Sequence, residues 1–393
     1  MLRIKNNFLV NEAGKPLMLR GVNLGGWLMM EGYILYAPII AACVFKSKFK
    51  RELGKKALLD FEKSFRETFI QETDYKNISS LGFNCVRLPF NHKLIEKKPY
   101  SYSKKGLSYL QKAIAWAKKY KLWIILDLHG CPGSQNQDWH SDSKGRALLW
   151  TSATNKKRTI ALWRYLAGVF KDEETIAGYD LINEPIIDNA SLNTFYKELI
   201  FEIRKIDKNH ILFLEPGDWA QDLQHLKRPK DDNIAFSLHA YQPIDFCFNF
   251  VPSLRYVNGS TTNGWHMSRY RRYLMSYARL ARKLKAPILI GEFGVNSRSN
   301  TCGEMNHLKD LLKIFNECNF HWTYWTYKAV KNSIFPDGLY HYNENPPWVN
   351  RQGPFYGWDT YVSLWKKHRN KIIASWKTSA FEKDAQIAAL LKR

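Results

Sequence analysis

The chain has 393 residues, 45% of them hydrophobic and 15% aromatic, which is enough to bury a large core in either two domains or one large barrel. The formal charge is +23, but Lys and Arg are scattered in short groups such as Lys46–Arg51, Lys118–Lys121 and Lys227–Lys230. That pattern argues for a solvated basic surface and against a specific nucleic-acid footprint.

The N-terminus, Met1-Leu2-Arg3-Ile4-Lys5, lacks the apolar run of a signal peptide, and the most apolar stretch, Tyr33–Phe45, is too short to cross a bilayer and contains Pro38. Six cysteines stand without CxxC or metal spacing. The expectation is a cytoplasmic protein with reduced thiols, no disulfide framework and no membrane span, acting as a monomer.

Strand one is predicted over Leu17–Val22, followed by Asn23 and Glu31, and then by a long, partly helical insertion at about 31–75 expected to cover one end of the fold. Strand two, Asn84–Leu88, carries Arg87. A helix over Leu107–Lys121 leads to strand three, Trp123–Leu128, which ends on His129 and a loop holding Trp139, His140 and Asp142. After a helix over Lys156–Phe170 comes strand four, Gly178–Ile182, ending in Asn183-Glu184-Pro185. A helix over Leu192–Ile206 and strand five, Ile211–Leu214, bring Glu215 and Asp218. Strand six, Ile234–Leu238, ends in His239-Ala240-Tyr241. A helix over Met267–Lys285 precedes strand seven, Ile288–Ile290, with Gly291-Glu292. The helix Asn306–Asn316 precedes strand eight, Trp322–Trp325, and Tyr327 and Trp348 lie beyond it. Residues 378–393 read as a helical tail.

Near-continuous apolar strands alternating with amphipathic helices predict an α/β fold, a single (β/α)8 barrel spanning residues 1–393. No glycine-rich phosphate loop follows the first strand, so a nucleotide-binding open sheet is disfavoured. Barrel active sites form at the strand C-termini, and here six strand ends supply ionisable, polar or aromatic groups. Two are glutamates, Glu184 and Glu292. A carboxylic acid and a carboxylate facing each other are what glycoside hydrolysis requires, and retaining enzymes hold them about 5–5.5 Å apart.

Arg20-Gly21-Val22-Asn23-Leu24-Gly25-Gly26-Trp27, Asn183-Glu184-Pro185 and the other strand ends, in order, resemble glycoside hydrolase family 5. The stretch His129-Gly130-Cys131-Pro132-Gly133-Ser134-Gln135-Asn136 is similar to the corresponding loop of that family's exo-β-1,3-glucanases. The resemblance implies Glu184 as acid/base and Glu292 as nucleophile. It further implies Asn183 on the sugar 2-hydroxyl, Arg87 and Tyr241 donating to Glu292, His129 and His239 lining the reacting subsite with His239 near Glu184, and Trp325 as platform. The acid role requires a protonated Glu184.

Asn23, Glu31, Trp139, His140, Asp142, Tyr327 and Trp348 are further candidates for touching substrate, and Glu215 and Asp218 for a supporting role. The implied ligand is a β-linked oligosaccharide or glycoside, with β-1,3-glucan favoured and β-mannan or a glycolipid as alternatives, and no cofactor. Two rivals are a non-catalytic carbohydrate-binding barrel and a metal hydrolase. The histidines available to the latter (His129, His140, His239, His266) lack His-x-His or HExxH spacing, so no metal is expected.

Overall fold

The computed structural model describes residues 1–36, 39–331, 333–342 and 358–392. Eight strands run in parallel around a closed barrel in chain order. They are β1 (Arg20–Asn23), β2 (Cys85–Asn91), β3 (Trp123–Gly130), β4 (Ile176–Asp180), β5 (Ile211–Leu214), β6 (Ile234–His239), β7 (Ile288–Glu292) and β8 (His321–Tyr324). The closed barrel and its eight strands match the expectation. The boundaries move: β4 stops at Asp180, so Asn183 and Glu184 lie on the loop after it rather than at its last residue.

Closure works because alternate residues point inward. Cys85, Ile125, Ala177, Ile211, Phe213, Ala235 and Leu289 fill the lower barrel as one apolar layer. The N-terminal hairpin, Arg3–Lys5 paired with Phe8–Val10, adds Leu2 and Leu9 to that layer. One step up the same strands, the inward positions turn polar: Arg87 follows Cys85, Asp127 follows Ile125, and Ser237 follows Ala235. Gly178 is required where β4 meets β5, since a Cβ there would lie 2.2 Å from the Ile211 carbonyl oxygen.

Among the described residues, nine longer helices surround the barrel or pack on its covering: α1 (Ala42–Thr68), α2 (Glu72–Ser80), α3 (Lys104–Lys119), α4 (Ala153–Phe170), α5 (Asn189–Arg204), α6 (Met267–Leu284), α7 (Glu304–Cys318), α8 (Trp358–Ser375) and α9 (Ala385–Leu391). Polar side chains set several starts. Ser103 accepts from Gly106 N–H, Ser152 from Asn155 N–H, and Asp188 from Ser191 N–H.

Three features add to the sequence reading, and the last of them corrects it. No long helix joins β5 to β6, and the link instead passes through a turn in which Asp218, Trp219 and Ala220 all have positive φ (56°, 52° and 61°). The insertion is dominated by α1, broken at Gly54 and packed on α8 through ring pairs such as Phe45–Trp358 at 4.7 Å and Phe61–Trp365 at 5.1 Å. Its first residues, Glu31 and Tyr33, reach the catalytic mouth. Finally, the tail is not one continuous helix: a 3-10 turn at Thr378–Ala380 and α9 are separated by Glu382–Lys383, which pairs as a strand with Tyr340–His341. Among the described residues no helix is long and apolar enough to cross a membrane, and all six cysteines are free thiols.

Candidate active site

Arg87, inward-facing on β2 and 0% exposed, organises the barrel mouth. Its Nε donates to Asp180 (2.9 Å), Nη1 to Glu292 Oε1 (2.8 Å) and to Asn23 (3.2 Å), and Nη2 to Asn183 Oδ1 (2.9 Å) and Glu215 Oε1 (2.9 Å). Asp127 is 3.2 Å away. A planar fork of five N–H donors can serve so many acceptors at once where a lysine could not. Four surrounding carboxylates hold the guanidinium protonated against the opposing effect of burial. Asp180 is pushed well above the usual carboxylate range by burial and by Glu215, with Arg87 pulling the other way.

Glu292, the last residue of β7, receives Arg87 on Oε1 and the Tyr241 hydroxyl on Oε2 at 2.9 Å. Across the mouth, Glu184 has a left-handed backbone (φ 47°) pinned on both sides. Its N–H donates to Glu215 Oε2 at 2.6 Å, and its carbonyl accepts from Asn136 Nδ2 at 3.0 Å. Its carboxylate accepts from two imidazoles, His239 Nδ1 at 2.7 Å and His140 Nε2 at 3.0 Å. One carboxylate oxygen of each glutamate and a ring nitrogen of His239 lie within 4.8 Å of one another. Such a trio has donors suited to a cation, but a proton shared between His239 and Glu184 accounts for their 2.7 Å contact without one.

The protonation of Glu184 differs from expectation. Burial raises its carboxyl, but His239 and His140 outweigh burial and hold it well below the usual range. Conversely, burial lowers His239 while Glu292, Glu215 and Glu184 lift it well above the ordinary histidine value, and contact with Glu184 lifts His140. The proton expected on the acid is held by its neighbours.

Further residues complete the walls. His129 Nδ1 bonds Asp127 at 2.8 Å, and the ring stacks on Trp325 with centroids 5.4 Å apart and planes 9° apart. Asn183 Nδ2 lies 3.5 Å from His129 Nε2, its oxygen being committed to Arg87. Glu31 is buried with Oε1 unpartnered 3.7 Å from His129, and burial followed by Glu292 and Glu184 pushes its carboxyl well above the usual range. Trp325 donates its indole N–H to the Tyr33 hydroxyl. Tyr33, Trp139 and Phe335 form a ring triangle with centroids 6.0, 5.0 and 5.6 Å apart, bridging the loops after β1, β3 and β8.

The structure therefore brings together Arg87, His129, Asn183, Glu184, His239, Tyr241, Glu292 and Trp325, with Glu31, Trp139 and His140. The other candidates that are described stay out of the cleft. Asn23 is sealed inside, donating to the carbonyls of Gly291 and Thr323, so it serves the barrel and not a ligand. Tyr327 points outward and donates to Asp74 on α2. Asp142 is a latch that accepts from Cys43 N–H, Asn91 and Lys93. Asp218 is exposed, and Trp348 lies outside the described residues. Glu215, fully buried, holds both Arg87 and the Glu184 backbone.

Sequence reasoning missed Asp180, Tyr33, Asn136 and Phe335. For Asp180 a signal existed, since it follows Gly178 at the strand period of two. The others sit on loops where no period operates.

Residues 53–331 match the family described as Cellulase (glycosyl hydrolase family 5). The chain is 31% identical over 394 residues to a beta-xylosidase of Phanerodontia chrysosporium, covering 95% of this chain and 78% of that one. It is 25% identical over 349 residues to endoglucanase C of Acetivibrio thermocellus (80% and 92% covered). To a probable glucan 1,3-beta-glucosidase A of Aspergillus fumigatus it is 29% identical over 246 residues (60% and 58%). Among solved structures, an endoglucanase of Thermotoga maritima superposes with TM-score 0.61 at 19% identity, covering 91% of this chain and 96% of that one, which speaks for the fold.

Proposed function

The chain belongs to glycosyl hydrolase family 5 and is an O-glycosyl hydrolase, and from that premise we propose that it is a retaining β-glycosidase with Glu292 as nucleophile and Glu184 as acid/base. The observation that carries the reading is the separation of the two carboxylates. One oxygen of each lies within 4.8 Å of one of the other, a spacing that suits direct attack on the anomeric carbon. The roughly 6.5–9.5 Å that an inverting enzyme leaves for an intervening water is absent.

In this reading Arg87 and Tyr241 donate to the two oxygens of Glu292 and aim it, and Asn183 turns its amide nitrogen to the sugar 2-hydroxyl. Trp325, with His129 stacked beside it, supports the reacting ring. Glu184 protonates the departing oxygen and then activates water. Every group named comes from a single chain, so a monomer suffices.

For the substrate, β-1,3-linked glucan or glucoside is the favoured reading. Its support is the loop His129–Asn136 and the likeness to glucan 1,3-beta-glucosidases. A β-xyloside glycone is the second reading, because the beta-xylosidase relative aligns over 95% of the chain. The Tyr33–Trp139–Phe335 bridge supports a short glycone side, with one sugar cut at a time from a chain end.

The test is a panel of aryl β-glucosides, β-xylosides and β-mannosides with laminari-, cello- and manno-oligosaccharides, followed by NMR of the first-formed anomer. The expected product is a monosaccharide with retained β configuration, and an initial α anomer rejects the mechanism. Glu292→Gly is expected to lose turnover while keeping its fold, and azide should restore cleavage of an activated glycoside with inversion. Undiminished activity in that variant removes Glu292 from the nucleophile role.

A further inference from the structure

The proposed reaction needs a proton on Glu184 as the leaving oxygen departs, yet both of its carboxylate oxygens already face imidazoles. The two histidines are not equivalent. His239, on β6, has a side chain 1% exposed and also lies 3.2 Å from Glu215 and 3.6 Å from Glu292, so its charge is shared among three carboxylates. His140 stands on a single turn, Trp139–Ser141, in the loop after β3, with its side chain 18% exposed. It reaches both solvent and the acid/base.

A second contact sets its behaviour. Asn136 is oriented by two backbone partners: its Oδ1 accepts from Asp138 N–H at 3.0 Å, and its Nδ2 donates to the Glu184 carbonyl at 3.0 Å. The same Nδ2 lies 3.2 Å from His140 Nε2. A fixed N–H donor therefore faces the ring nitrogen that contacts Glu184. Two donors facing each other repel, so a proton on Nε2 is readily given up to the carboxylate beside it.

We infer that His140, set by Asn136, is a positioning residue that keeps the catalytic proton beside Glu184 and exchanges it with solvent. The inference rests on the reading of Glu184 as acid/base. In the first step the Nε2 proton passes to Glu184 Oε2 and on to the glycosidic oxygen as the C–O bond breaks, leaving His140 neutral. In the second step Glu184 takes a proton from the attacking water and returns it to Nε2, so one water is consumed and the pair is restored.

The experiment compares wild type, His140→Gly, His140→Gln and Glu184→Gln in the full chain. It measures kcat/KM for an alkyl β-glycoside and for the 2,4-dinitrophenyl glycoside of the same sugar, because only the former needs a proton. His140→Gly is expected to lose about 100-fold on the alkyl substrate and far less on the dinitrophenyl one, in line with general-acid contributions. Added imidazole should recover part of the alkyl activity. His140→Gln, which keeps a donor but cannot shuttle a proton, should show the same split without rescue, and an unfolding curve checks that each variant is folded. Equal losses on both substrates, or no response to imidazole, overturn the inference. If Glu184→Gln shows the leaving-group split and His140→Gly does not, only this inference falls. If Glu184→Gln shows none, the acid/base reading falls first.

Discussion

Arg87 illustrates how one side chain can serve fold and chemistry together. It pairs with four acids on four strands or strand ends, Asp127, Asp180, Glu215 and Glu292, all within 3.2 Å. Arg87→Met is expected to lower unfolding stability by roughly 3–5 kcal/mol, or to prevent folding, because it strands buried charge. Arg87→Lys keeps the charge but loses the fork that links Asp180, Asn183, Glu215 and Glu292. Its expected signature is a smaller stability loss with a large fall in kcat, read from urea midpoints and steady-state kinetics. Near-native kcat in Arg87→Lys would show that charge alone suffices.

Among elements, α1 and its contact with α8 are the most separable from the site. Phe61 touches Phe45, Phe49, Phe65, Tyr361, Trp365 and Trp376, and is fully buried. Phe61→Ala is expected to reduce stability by about 3–5 kcal/mol, the usual range for deleting a core aromatic ring. Turnover of a small aryl glycoside in the folded variant should change little, because Phe61 packs among rings in or next to α1 and α8 and touches none of the groups at the mouth. Denaturant titration and kinetics on the same preparation check both halves. On β4, Gly178→Ala forces a methyl onto the Ile211 carbonyl and should destabilise the barrel seam, lowering Tm without shifting KM in the molecules that remain folded.

For the molecule as a whole, acid sensitivity is written into three buried histidines. Burial depresses His92, His307 and His321 to about 4, against an ordinary value of 6.5. Between those pH values the unfolded chain binds protons that the folded chain refuses, so the contribution is complete above about pH 6.5 and lost as pH falls towards 4. Each such group removes about 1.4 kcal/mol per pH unit in that window. His321, whose Nδ1 accepts from Leu19 N–H, gives the cleanest test. In His321→Gln the difference between urea stabilities at pH 7 and pH 5 should shrink, and an unchanged difference would mean that His321 does not titrate in unfolding.

Apolar runs with their spacing were enough to place eight strands, and strand-end motifs were enough to single out Glu184, Glu292, Arg87 and their companions, because both are local properties of the chain. Which of those polar groups face the cleft was decided by barrel closure. Register and tilt turn Asn23 inward to the carbonyls of Gly291 and Thr323 and send Tyr327 outward to α2, although both follow barrel strands and look alike in one dimension. The charge state of Glu184 was equally beyond local reading. It depends on His140 and His239, brought from two other loops to opposite oxygens of one carboxylate. Electrostatic shifts of that size arise from distances of about 3 Å in a dry setting, and only the folded chain sets those distances.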